Sequence, residues 1–132
     1  MNLQDHYAAY CADVKRDALD NYIEYARITP TQHPQQYPTI YDYMIDIVAE
    51  IRGAIANDDR QRYLSGVAKH EHAMRALFHK MSKEMLLELH VENTPQIRAQ
   101  MAKEFGEKWV KFLDVQDYSK PLWGPDAQRE RV

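Results

Sequence analysis

Apolar side chains recur along most of this chain with a 3-4 spacing, and that period belongs to amphipathic helices. In the first segment Leu3, Tyr7, Tyr10, Val14, Ala18, Tyr22 and Tyr25 fall on one side, flanked by Cys11, Leu19 and Ile23, which predicts a helix from Leu3 to Arg27. Asp13, Asp17, Asp20 and Glu24 run along its opposite side as a continuous acidic stripe. Pro30, Pro34 and Pro38 then interrupt the pattern, so residues 29–38 read as an extended connection. Thr39 is placed to cap a second helix, with Asp42 three residues on in a variant of the capping box. Ile40, Met44, Ile47, Val48, Ile51 and Ile55 make its apolar face up to Ala56. Asn57-Asp58-Asp59 reads as a tight turn, with Asp58 or Asp59 capping the next helix.

The third periodic stretch runs from Arg60 to Glu92 through Tyr63, Val67, Met74, Leu77, Met81, Met85 and Leu89. As one helix it would be about 50 Å long, more than its neighbours could cover, so it is expected either to break at Ser65-Gly66 or Ser82 or to project. Thr94 as N-cap and Pro95 at the first helical position open a last helix carrying Ile97, Met101, Phe105, Trp109, Phe112 and Leu113 to Val115. From Gln116 onward the chain reads as an extended tail, with Tyr118, Leu122 and Trp123 able to dock it and Gln128 to Val132 loose. The expectation is an all-α bundle of four or five helices over residues 1–115 with the tail over 116–132.

Composition narrows the function classes. The 132 residues are the length of one ordinary domain, and 45% hydrophobic content supplies a core. The single cysteine, Cys11, excludes an intrachain disulfide and a cysteine-built zinc site and fits a reducing, cytoplasmic setting. The first residues lack the pattern of a signal peptide, and no apolar run has the length of a membrane span. The four glycines cannot build a phosphate loop, a dinucleotide fingerprint or a nucleophile elbow.

Charge is unevenly spread. Lys15, Arg16 and Arg27 face eight carboxylates in residues 1–50, whereas residues 60–83 carry Arg60, Arg62, Lys69, Arg75, Lys80 and Lys83 against Glu71 alone. The simplest account is internal, with the acidic first half flanking the basic third helix. A functional account sets the basic segment on an acidic protein or on nucleic-acid phosphates, although six charges over six turns make a modest patch.

Two constellations could carry chemistry. Asp42, Asp46 and Glu50 stand at i, i+4 and i+8, and together with the stripe on the first helix or with His70 they could hold Mg2+ or Mn2+ in an all-α hydrolase. The chain lacks the paired carboxylate signatures of such enzymes, and a solvated face opposite an apolar stripe is the simpler and preferred account of the pattern. His70, Glu71, His72 and His79 cluster on the third helix, where His70 continues the apolar stripe and reads as an inward-facing histidine.

Nine tyrosines is a high share, and Tyr7, Tyr10, Tyr22 and Tyr25 crowd the first helix, where large area with a polar tip suits an interface. The leading expectation is a soluble, non-enzymatic helical adaptor, regulator or inhibitor that needs no cofactor. It would bind another protein through those tyrosines and the six cations, with self-association into a homodimer a further option. Small cysteine-poor helical chains of this kind are common among phage and mobile-element accessory proteins, which is an association and no derivation. The alternatives are the metal-dependent hydrolase using Asp42, Asp46, Glu50 and His70, and a weak nucleic-acid binder using the segment 60–83.

Overall fold

A computed structural model describes residues 2–113 and 120–129, with the side chains of residues 128 and 129 excepted. The fold is all-α. Among the described residues there are seven helices: α1 (Leu3–Asp17), α2 (Tyr22–Ile28), α3 (Ile40–Ala56), α4 (Arg60–Glu88), α5 (Pro95–Phe105), α6 (Glu107–Lys111) and α7 (Pro125–Arg129).

The expected first helix is two. Asn2 caps α1 by accepting the Asp5 N–H at 2.8 Å, and the helix ends when Ala18 turns extended and Asn21 takes a left-handed conformation with φ 64°. Asparagine tolerates that region better than most residues. The break has a packing cause: it swings Leu19, 1% exposed, into the core and points Asp17 inward.

Residues 29–38 also depart from expectation, because the segment is a closed loop. The Ile40 N–H donates to the Thr29 carbonyl at 2.9 Å, Pro30 bridges Thr39, and the Tyr37 N–H donates to the His33 carbonyl. Proline fixes φ without preventing the chain from doubling back. The reciprocal capping box of Thr39 and Asp42 opens α3 as its sequence predicts, and Asp59 caps α4 through the Arg62 N–H.

α4 neither breaks nor projects. It runs 29 residues unbroken through Gly66 and Ser82, about 43 Å. Its buried residues run from Tyr63 to Leu86, and it contributes to all three hydrophobic clusters. At one end Tyr63 packs with Leu3, Ile47, Ile51 and Ala54. In the middle Met74, Leu77, Phe78 and Met81 meet Tyr10, Val14, Leu19, Phe112 and Trp123. At the other end Leu86 packs with Met101 and Leu113. The helix is covered because its partners change along its length.

Gly66 is where α3 and α4 approach most tightly. A methyl group there would lie 2.7 Å from Cγ1 of Ile51, which is fully buried and has nowhere to swing. Alanine at a helix interior gains about 1 kcal/mol over glycine, but overpacking costs typically 1–3 kcal/mol. Gly66→Ala is therefore expected to lower stability by about 1 kcal/mol in urea unfolding, and a gain in stability would show that the helices part freely.

Thr94 caps α5 with Pro95 at its first position, as its sequence predicts. The last helix, expected to continue to Val115, is instead divided at Gly106, whose φ of 112° no right-handed helix accommodates. The expected end at Val115 and the docking of Tyr118 lie outside the described residues. Beyond them Leu122 and Trp123 do pack on the body, and Pro125–Arg129 is a short helix where extended chain is expected.

Candidate functional site

The acidic stripe of α1 is neither a solvated face nor a metal ladder over its central part. Asp17, only 8% exposed, accepts from Arg16 Nε at 3.2 Å, Lys111 Nζ at 2.7 Å and Trp123 Nε1 at 2.6 Å. Burial works against its charge, but these hydrogen bonds from Arg16, Lys111 and Trp123 outweigh it and hold the carboxyl down at about 2. Asp13 accepts the Gly124 N–H at 2.9 Å, and Asp20 stands 3.9 Å from Lys108.

On α4, Glu71 accepts the N–H groups of Leu122 and Trp123 at 3.2 and 3.3 Å and the Arg75 guanidinium at 3.1 Å. Arg75 also donates to the Lys120 carbonyl at 2.8 Å. Three carboxylates and one guanidinium thus strap residues 120–124 across α1 and α4. Of the carboxylates of the first half, Asp17 and Asp20 pair with Lys111 and Lys108 of α6, where pairing with α4 is the expectation.

Above α4, between α1, α2 and α3, lies a cleft in two parts. The inner chamber, about 400 Å3, is lined by Tyr7, Tyr10, Cys11, Val14, Lys15, Tyr22, Met44, His70 and Met74. An outer groove of about 400 Å3 is lined by Tyr22, Ile23, Ala26, Tyr41, Met44, Ile45, Val48, Ala49, Arg52 and His70. Tyr22, Met44 and His70 belong to both.

His70, 9% exposed, meets the Tyr10 hydroxyl through Nδ1 at 2.8 Å. Burial pushes its ring down to about 4, so it is neutral at physiological pH. Burial raises the Tyr10 hydroxyl far above the ordinary phenol range, with Glu71 adding to the effect.

The outer groove has an origin legible in the composition of α3. Ile47, Ile51 and Ala54 are buried. Ile45, Val48, Ala49 and Arg52, at i, i+3, i+4 and i+7, line the groove instead. Ile45 is 53% exposed and Ile23, across from it on α2, 39%. The apolar face read for α3 contains Met44 and Val48 but misses Ile45, Ala49 and Arg52, and Ile45 beside Met44 and Val48 is the signal that the apolar arc is wider than one contact needs.

The residues expected to meet a partner fall into separate places. Tyr10 is fully buried and Arg75 is 3% exposed, so both serve internal packing and have no surface to offer. Tyr7, Tyr22 and Tyr25 are half-buried; Tyr7 and Tyr22 line the cleft. Arg60, Arg62, Lys69, Lys80 and Lys83 are exposed on α4. The carboxylates offered as metal ligands are otherwise engaged or isolated. Asp42 closes the capping box, Asp46 accepts from the Tyr37 hydroxyl, and Glu50 joins neither. Among the described residues no group of three or more His, Cys, Asp or Glu side chains is arranged to hold a metal ion. His79, half-buried, donates Nδ1–H to the Phe112 carbonyl at 2.7 Å and so ties α4 to the end of α6. No helix among the described residues is long and apolar enough to cross a membrane. No family model, curated protein or solved structure matches the chain.

Proposed function

We propose that this chain works by binding another protein, and that the outer groove between α2 and α3 receives the apolar face of a partner helix. The observation that carries this reading is the second apolar face of α3: Ile45, Val48 and Ala49 line an open groove with Ile23 and Tyr22 instead of a covered core. Two neighbouring helices with apolar residues spaced at 3 and 4 form the receiving half of helix-in-groove recognition. Exposed isoleucines in one patch lose free energy to water that a partner would recover. Arg27, seated over the Tyr41 ring at 4.7 Å, stiffens one wall of the groove.

Ile45→Asp tests the reading, because an exposed position changes binding with little effect on folding. Affinity purification from the native host is run side by side with wild type and the variant, each first shown to melt at the same temperature. A stoichiometric partner held by wild type is expected to fall at least tenfold in the variant. Equal recovery of every retained protein would remove the groove from consideration. Sedimentation velocity of both forms separates a foreign partner from a second copy, since a self-partner appears as a wild-type dimer that Ile45→Asp converts to monomer.

A further inference from the structure

The outer groove is apolar along its length and cationic at its two ends. With His70 neutral, Arg52 alone among its lining residues carries a charge, and none of them is a carboxylate. On the α3 wall Tyr41 stands at one end and Arg52 at the other, eleven residues or about 16 Å apart.

Arg27 belongs to the Tyr41 end. The hydrogen bond from the Ile40 N–H to the Thr29 carbonyl brings the end of α2 beside the start of α3. There the Arg27 guanidinium lies 4.7 Å from the centre of the Tyr41 ring and donates to its hydroxyl at 3.5 Å. Glu24, one turn back on α2, also acts on Arg27, so part of the charge at this end is already answered.

The other end is more strongly positive. Arg52 is exposed and makes no hydrogen bond or ion pair with any described residue. Its charge is felt at Tyr7 and Cys11, which precede Lys15 by two turns and one turn on the same face of α1. Lys15 is exposed too, is likewise without an ion pair among the described residues, and borders the inner chamber that shares Tyr22 with the groove.

We propose that the helix received by this groove is acidic. It is an amphipathic helix whose apolar stripe seats on Ile23, Ile45 and Val48, with carboxylates at both ends of that stripe. One end meets Arg27, and the other meets Arg52 and Lys15. Eleven residues is close to three whole turns, so carboxylates at that spacing fall on one side of the partner helix as well. A single exposed ion pair contributes little to affinity. Charges at both ends act instead on choice and register: they speed the approach of an acidic helix and repel a basic one that the apolar groove would otherwise accept. This inference rests on the groove reading and adds the chemistry of the partner to it.

A displayed library of helical peptides of about 18 residues, or five turns, tests the proposal with the full chain as bait. Leucines are fixed at a 3-4 spacing, and every other position is drawn from glutamate, lysine, glutamine and serine. Wild type, Arg52→Glu, Arg27→Glu and Ile45→Asp are each first shown to melt at the same temperature. Peptides enriched on wild type are expected to carry glutamates near both ends of the leucine stripe. Exchanging those glutamates for lysines should weaken binding at least tenfold in fluorescence anisotropy, and salt should narrow the difference. Arg52→Glu should turn the preference at one end to lysine, and Arg27→Glu at the other. Enrichment without charge bias, or a glutamate preference that survives Arg52→Glu, would overturn the acidic partner and leave the groove reading in place. No enrichment on wild type, or the same peptides enriched on Ile45→Asp, would remove the groove itself and this proposal with it.

Discussion

Replacing Trp123 with alanine should lower the stability of the protein by about 4 kcal/mol, the middle of the range for large aromatic residues removed from a core. Trp123 is 2% exposed and touches three aromatic rings, with centroids 6.4 Å from Tyr10, 6.3 Å from Phe78 and 6.1 Å from Phe112. It is the point at which the segment 120–124 enters the main cluster, so its loss opens a cavity between α1 and α4 together. It also leaves Asp17 without the shortest of its hydrogen bonds. Trp123→Phe separates the two contributions. The ring contacts largely remain and the indole N–H is lost, with an expected cost of about 2 kcal/mol for a hydrogen bond to a charged group. Urea unfolding followed by circular dichroism reads both. A change under 1 kcal/mol for the alanine variant would mean that the strap is not seated in solution.

Acidification should produce the second large effect. His70 has a folded-state pKa of about 4 against an ordinary value of 6.5, so between these values the unfolded chain binds a proton that the folded chain does not. Stability is then fully present above pH 6.5, falls as the pH drops toward 4, and has lost about 3 kcal/mol by the end of that window. Tyr10 meets this ring directly, and Lys15 from α1, Tyr22 from α2 and Arg52 from α3 line the same cleft. His70→Gln removes the titrating group while leaving an acceptor for the Tyr10 hydroxyl, and its unfolding free energy should be nearly flat over the same window once the remaining histidines are subtracted through the comparison. Asp17 acts lower. With its carboxyl held at about 2 against 3.8, its contribution is intact above pH 3.8 and is lost only as the pH falls further. A wild-type curve as flat as that of the variant between pH 6.5 and 4 would show that His70 is solvated.

The features legible in the sequence are those that local chemistry decides. Thr39 with Asp42, Asp59, and Thr94 before Pro95 are caps whose residues settle a helix start within three positions. The helix ends that depart from expectation are decided at a distance. Ala18 to Asn21 breaks a good helical pattern because Leu19 and Asp17 find better partners in Phe78, Phe112, Lys111 and Trp123 than a continued helix would offer them. Gly106 carries a conformational signal, but a lone glycine is weak evidence against an apolar period that continues through Trp109 and Phe112.

The same holds for the acidic stripe. Its 4-3-4 spacing is correct for one face of a helix, and no pattern within α1 shows that an N–H and an indole from the far end of the chain complete it. His70 is legible as an inward-facing histidine, while the cleft it lines is not, since a concave site is made by the angle between α2 and α3, which spacing does not encode. The Ile45 surface lies between these cases: its surplus of apolar positions is visible in the sequence, and the direction they face is not.

The strap across α1 also fixes an order of events during synthesis. α3 and α4 are neighbours joined by a three-residue turn, and they can pair as soon as both have left the ribosome. α1 leaves first, but Asp13 and Asp17 wait for residues more than ninety positions later, and Tyr10 waits for Trp123. Contacts of such long sequence separation close late, because the entropy of the intervening loop must be overcome before they form. α1, made before the other described helices, is thus the last of them to complete its contacts. Until then its tyrosines and the apolar side of α4 stand open to whatever else the cell presents, which makes the interval before residues 120–124 emerge the period of greatest exposure to misassociation.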